Sequence, residues 1–263
     1  MTDNTIGFET SDGAALITLK RPDVLNSFNR EMAAELVAAL ESVRDTDSIR
    51  AALITGEGRA FCAGQDLDAV IAKDGNPAPE LGDIVRDCYN PIVRLIRTIE
   101  KPIVAAVNGV AAGAGANLAL CCDVVLASEK ASFIQSFVNV GLIPDTAGTF
   151  FLPRLVGLQR ASAMMILGDK IAAAKALEFG MIYKVCAPEE LQSEALAMTK
   201  HLATQPTKGI GLTKRLLNAS VFNSLDEQLK QEEQLQTLAG HSKDYNEGVS
   251  AFLEKRKPNF TGN

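Results

Sequence analysis

Short apolar runs that lack a helical period return along this chain, each followed within two residues by glycine, proline or a charged residue. They lie at residues 14–20 (AALITLK), 51–55 (AALIT), 103–107 (IVAAV), 124–127 (VVLA) and 182–186 (IYKVC). Runs of this length, rich in Val, Ile and Ala, are expected to be strands. Between the first two, Phe28, Met32, Leu36, Leu40 and Val43 recur at helical spacing. Strands alternating with helices predict an α/β layered core with largely parallel pairing. The strand–loop–helix unit repeats, which fits either a coiled arrangement of repeats or a doubly wound sheet.

Beyond about residue 188 the pattern is helical throughout. Pro206 separates two helices, and Ser224 with Glu227 forms a capping box that opens another. Ser242 is placed to cap a last helix reaching about residue 255. Leu225, Leu229, Leu235 and Leu238 make an apolar face that suits either a subunit contact or packing within the chain. Residues 73–81 (KDGNPAPEL) read as a mobile surface loop.

The chain of 263 residues is long enough to bury a sizeable core, and its net charge is −6. An acidic chain lacks the basic field that nucleic acids and anionic membranes require, so neither is an expected partner. The five cysteines (62, 88, 121, 122 and 186) show no short-spaced framework and are expected to be reduced, buried thiols of a cytoplasmic protein. The first residues lack a basic region followed by an apolar one, and no uncharged apolar run approaches the ~18 residues needed to span a bilayer.

Chemistry is expected at two glycine-rich strand exits, residues 59–67 (RAFCAGQDL) and 108–118 (NGVAAGAGANL). Small residues let a backbone approach a ligand closely, and the second exit leads into a helix whose first N–H groups are unpaired. Two such N–H groups converging on one oxygen form an oxyanion hole. The second exit follows neither a dinucleotide fingerprint nor a P-loop. His201 and His241 lack metal-ligand spacing, no G-x-S-x-G occurs, and no cysteine has an evident base beside it. A single carboxylate stands in residues 140–149 (VGLIPDTAGT), where Asp145 is placed either to cap a following helix or to move a proton.

Residues 59–67, 101–123 and 140–157 resemble the signature segments of the enoyl-CoA hydratase/isomerase (crotonase) family. Residues 21–29 (RPDVLNSFN) and 248–260 (GVSAFLEKRKPNF) resemble its flanking landmarks. The resemblance implies a spiral of ββα units over residues 1–200 carrying an acyl-CoA site. It implies a helical region over 201–263 for trimerisation and for covering the CoA, in a trimer or a dimer of trimers. It implies no metal and no cofactor other than the coenzyme A of the substrate itself. Carried over one position at a time, it puts the oxyanion-hole N–H groups at Ala63 and Ala114. CoA and substrate contacts fall at Leu25, Asn26, Gly64, Gln65, Asp66, Leu67, Phe252 and Lys255.

The departures from the family carry the expected reaction. Hydratases manage water with two glutamates, and this chain has Asn117 and Phe137 in those places. An amide and a phenyl ring cannot act as general bases, so hydration is not the expected main reaction. Asp145 stands where hydratases usually have glycine, and one base that removes a proton and returns it elsewhere performs an isomerisation. A nearby helix N-terminus would favour its ionised form and burial would oppose it. Residues 201–207 (HLATQPT) and 245–253 (YNEGVSAFL) extend the match to the branch that isomerises the ring-1,2-epoxide of phenylacetyl-CoA to an oxepin. The alternatives are a Δ3,Δ2-enoyl-CoA isomerase of fatty-acid oxidation and a non-catalytic acyl-CoA-binding protein.

Overall fold

The computed structural model describes residues 4–72 and 77–263. The chain opens with a hairpin of β1 (Ile6–Ser11) and β2 (Ala14–Leu19), joined through Asp12 and Gly13, both at positive φ (52° and 76°). That is the two-residue turn whose twist matches paired strands. The residues of β1 from Phe8 onward are exposed, which is why no apolar run announced this strand. Next comes α1 (Arg30–Asp45), where the Asn29 side chain accepts the Met32 N–H. Met32, Leu36, Leu40 and Val43 form its buried stripe, whereas Phe28 precedes the helix and pairs with Gln65.

Three strand pairs follow. They are β3 (Ala51–Gly56) with β4 (Ala60–Cys62), β5 (Ile103–Val107) with β6 (Val110–Ala112), and β7 (Val124–Ser128) with β8 (Ser132–Ile134). Helices return the chain from each pair: α2 (Leu81–Ile84) and α3 (Asn90–Thr98) with a π turn at Val85–Tyr89 between them, then α4 (Ala114–Cys121), then α5 (Gly148–Val156). The coiled repeat of ββα units is therefore the arrangement adopted. After α6 (Leu158–Leu167) come β9 (Lys170–Ala172), α7 (Ala173–Glu178) and β10 (Lys184–Cys186). Four helices end the chain: α8 (Leu191–Ala203), α9 (Thr207–Ala219), α10 (Leu225–Gly240) and α11 (Lys243–Glu254).

The longer strands form one sheet in the order β1-β2-β3-β5-β7-β10, parallel except at β1–β2. The short ones form a second sheet, β4-β6-β8-β9, antiparallel only at β8–β9. Side chains of the central strands alternate between two cores, as the two-residue period requires. Ala52, Ile54, Ile103, Ala105 and Val107 face the cluster that holds α1 and α3. Leu53, Val104, Ala106 and Leu126 face Leu191 and Ala195 of α8. Because both faces are covered, β3 and β5 read as continuous apolar runs rather than alternating ones.

In the helical tail the capping box at Ser224 and Glu227 is formed, and the Ser242 side chain accepts the Tyr245 N–H. On α10, Leu225, Leu229 and Leu238 are exposed, while Leu235 lines a cleft of about 570 Å³ with Ile210, Lys214 and Leu217. The surface loop expected over 73–81 has its first four residues outside the described ones, and Pro77 and Ala78 are exposed. All five cysteines are buried and unbonded. No helix among the described residues is long and apolar enough to cross a membrane.

Candidate active site

The end of β4 sets the first wall of the site. Beyond Cys62 the backbone runs beside residues 25–28 and is stitched to them. The Ala63 N–H donates to the Leu25 carbonyl at 2.9 Å, the Phe28 N–H to the Gly64 carbonyl at 2.7 Å, and the Asp66 N–H to the Phe28 carbonyl at 2.9 Å. In an extended segment the N–H and carbonyl of one residue point opposite to those of its neighbours. With the Gly64 carbonyl and Asp66 N–H turned toward Phe28, the Gln65 N–H is turned away, and it has no acceptor among the described residues.

This corrects the expected donor pair. Ala63 is occupied by Leu25, and the donor left free is Gln65, two residues further on. Ala114, the second expected donor, is the first residue of α4, where no preceding turn supplies an acceptor. The two loops touch. A Cβ placed on Gly64 (φ 97°) would lie 2.9 Å from the Ala112 carbonyl and 3.5 Å from the Ala114 nitrogen. Gly115 is held as closely, since its Cβ would meet the Cys62 carbonyl at 2.3 Å. Glycine at both positions brings the two free N–H groups onto adjoining backbones.

Several of the expected contact residues serve to build this wall. Asn26 is fully buried at φ 56°, and its side chain accepts the Arg21 N–H (2.8 Å) and donates to the Glu57 and Ala60 carbonyls (both 2.9 Å). Its amide is fully engaged with the backbone, which gives the side chain a scaffolding role. Asp66 is paired with Arg21 at 2.9 Å and also accepts the Asp68 N–H. The Gln65 side chain donates to the Phe28 and Asp66 carbonyls and accepts from the Tyr89 hydroxyl at 2.6 Å. Leu67 is exposed, and Leu25 (φ 55°) turns its carbonyl to Ala63. Phe252 is 83% exposed and Lys255 ends α11. Among the described residues no hydrogen bond or ion pair joins either to the 63–67 loop.

Asp145 lies in the segment before α5, tied to α4 through Asn117. It does not cap α5: the residue at the cap is Ala147, which offers no side-chain acceptor. Instead Asp145 begins a tight loop in which Thr146 and Ala147 both adopt positive φ (50° and 57°). This conformation is a genuine strain for a β-branched residue and costs on the order of 1–3 kcal/mol per position. The loop is pinned from inside the protein. The Asp145 carbonyl accepts the Gly148 N–H (2.9 Å) and the Asn117 amide (2.8 Å), and the Asn117 oxygen in turn accepts from Gln135 at 2.8 Å. Asn117 is 1% exposed, a lone polar side chain in a helix of small apolar residues. The residue at the first hydratase-acid position is thus a clamp on the backbone of the carboxylate that remains.

Phe137 fills the second acid's place as a buried ring, about 3.7 Å from where a Cβ on Gly113 would stand. The Asp145 carboxylate accepts the Thr146 hydroxyl at 2.8 Å. Burial pushes its carboxyl above the ordinary value, outweighing the hydrogen bonds from Thr146 and from its own backbone that act the other way. Tyr89 and Gln135 were not foreseen. Asn117 had a signal, because a buried amide among Ala, Gly and Leu must find partners.

The enoyl-CoA hydratase/isomerase family matches residues 9–263. The chain is similar to the 1,2-epoxyphenylacetyl-CoA isomerase of Escherichia coli (strain K12), with 51% identity over 95% of each chain. It is also similar to the trans-2-decenoyl-(acyl-carrier-protein) isomerase of Streptococcus mutans, with 36% identity over 97% of each. A solved structure, an enoyl-CoA hydratase from Polaromonas sp. JS666, superposes with a TM-score of 0.89 at 33% identity, covering 97% of this chain and 99% of that one.

Proposed function

The chain belongs to the enoyl-CoA hydratase/isomerase (crotonase) family, has its fold and is an enzyme of CoA-thioester chemistry; from that premise we propose that it isomerises ring-1,2-epoxyphenylacetyl-CoA to the oxepin thioester. The observation that carries this reading is the rebuilt pair of hydratase positions. Asn117 is occupied as a donor to the Asp145 carbonyl and Phe137 is apolar, which leaves Asp145 as the base. The 51% likeness to an isomerase of that name supports the choice of substrate.

Asp145 takes a proton from the CH2 beside the thioester. The Gln65 and Ala114 N–H groups hold the oxygen on which the enolate charge collects, and a proton returned at a remote carbon completes the shift. Ring opening to the oxepin follows from the electrons of the epoxide. A base raised by burial suits this step, since a more basic carboxylate takes a weakly acidic proton more readily. The N–H pair matters most at the enolate, where one donor of such a hole is worth about 3 kcal/mol. The same groups can move a double bond from position 3 to position 2, so a Δ3,Δ2-enoyl-CoA isomerase activity accompanies the main one.

Leu25, Gly64, Asp66 and Leu67 border the entry along which the CoA chain lies, with Phe252 and Lys255 covering its nucleotide end. The exposed leucines of α10 support closure of that face by further copies of the chain, as a trimer or a dimer of trimers. The test is parallel turnover of the ring-epoxide thioester, a 3-enoyl-CoA and a 2-enoyl-CoA in deuterated water, followed by proton NMR. The oxepin product, a slower double-bond shift and negligible hydration are expected; dominant hydration of the 2-enoyl-CoA would overturn the proposal.

A further inference from the structure

We propose that Tyr89 is a positioning residue of the oxyanion hole, acting through the Gln65 side chain to aim the Gln65 N–H. The inference rests on the reading of that N–H as an enolate donor. Tyr89 is 3% exposed, and its hydroxyl donates to Gln65 Oε1 at 2.6 Å. The far side of the same amide donates to the Phe28 carbonyl at 3.0 Å and the Asp66 carbonyl at 3.1 Å. The Tyr89 ring stands edge-on to Phe28, with centroids 5.9 Å apart. Phe28 is also the residue whose N–H and carbonyl hold Gly64 and Asp66. Tyr89 therefore closes a ring of contacts around one peptide while leaving its N–H free.

The placement of Tyr89 depends on a local departure from α-helical geometry. It ends the π turn Val85–Tyr89 between α2 and α3. One extra residue in a turn rotates the following face by about 100° relative to a regular helix. That rotation separates the register of α3, whose Ile92 and Ile96 enter the core, from that of the exposed residues before Ile84. The site also senses this ring electrostatically. Burial first, and then the nearby Asp145 charge, push the Tyr89 hydroxyl above the usual phenol range, which keeps it a neutral donor.

Loss of the hydroxyl removes the only tyrosine bond to Gln65 Oε1 among the described residues and lets the amide turn. The donor N–H remains but is no longer held on the enolate oxygen. In Tyr89→Phe, kcat is expected to fall roughly tenfold with KM within about twofold, a fraction of the loss on deleting such a donor outright. The direct readout is the infrared carbonyl stretch of phenylacetyl-CoA labelled with carbon-13 at the thioester and bound to the enzyme. Wild type should shift the band to lower wavenumber, and Tyr89→Phe should lose part of that shift. Gln65→Met keeps the peptide N–H and removes the acceptor, so it should reproduce the change even if Tyr89→Phe folds poorly. The double variant should be no worse than Gln65→Met alone. A shifted band in wild type that persists unchanged in either variant overturns the role of Tyr89. Additive losses in the double variant overturn its action through Gln65. Absence of a shift in wild type refutes instead the oxyanion-hole reading on which the inference stands.

Discussion

Asn117→Asp changes one buried nitrogen to oxygen and leaves the shape of the side chain intact. In the wild type this nitrogen donates to the Asp145 carbonyl at 2.8 Å, while the oxygen accepts from Gln135 at 2.8 Å. A protonated aspartic acid can still donate to the carbonyl and accept from Gln135, so the chain of bonds survives. Ionised, it points a charged oxygen at a carbonyl in a position only 1% exposed. The lost bond costs about 1 kcal/mol, and the uncompensated buried charge roughly 3 kcal/mol more. At about 2–4 °C per kcal/mol for a chain of this size, Tm should fall by about 10 °C at pH 8. The new carboxyl has its folded pKa raised above the unfolded one. Its proton-bound form therefore stabilises the fold at low pH, and that contribution is lost as pH rises through the folded pKa. The deficit against wild type should thus be small at pH 5 and large at pH 8. Catalysis should suffer too, because this bond restrains the strained turn at Thr146 and Ala147. A displacement of the base by about 1 Å costs on the order of a hundredfold. Scanning calorimetry at the two pH values, with initial rates beside it, measures both effects. A Tm difference that does not depend on pH, or a wild-type kcat at pH 8, would refute the clamp.

Three further outcomes follow from the same geometry. Asn26→Ala removes three hydrogen bonds of a fully buried side chain at a position held at φ 56° and should lower stability by roughly 3–5 kcal/mol, read from the urea midpoint; an unchanged midpoint would contradict its scaffolding role. Because burial raises the Asp145 carboxyl above its ordinary 3.8, the acid limb of wild-type kcat/KM should lie above that value, and a limb at or below it would contradict the burial. The raised carboxyl also opposes folding once ionised, so Asp145→Asn should be more stable than wild type at neutral pH, and a lower Tm would count against the burial.

Among the strands, several that could be foreseen are those whose burial is uniform. The runs that became β3, β5 and β7 are covered on both faces, so their apolar character alone marked them. The three-residue strands β4, β6, β8 and β9 carry too few side chains to show a period, and the second sheet escaped notice with them. In the site, Ala114 was placed as a donor by the family resemblance alone; the start of α4 there supplies the physical reason for a free N–H. Gln65 was not, because which N–H stays free along residues 62–66 depends on the register of that segment against Leu25 and Phe28, about 37 residues away in sequence. Asp145 was singled out by the missing acids, but local spacing suggested a cap. The cap failed because Thr146 and Ala147 turn left-handed and delay the helix to Gly148. The same long-range dependence hid the clamp of Asn117, whose partner lies 28 residues along the chain.

The central claim is that Asp145 alone moves the proton. Its direct test is exchange of the α-protons of phenylacetyl-CoA in deuterated water, measured by proton NMR on wild type and Asp145→Asn at matched occupancy. The account predicts exchange by wild type and a rate no faster than the spontaneous one for Asp145→Asn, with the thioester still bound. Exchange at near the wild-type rate in Asp145→Asn would contradict it.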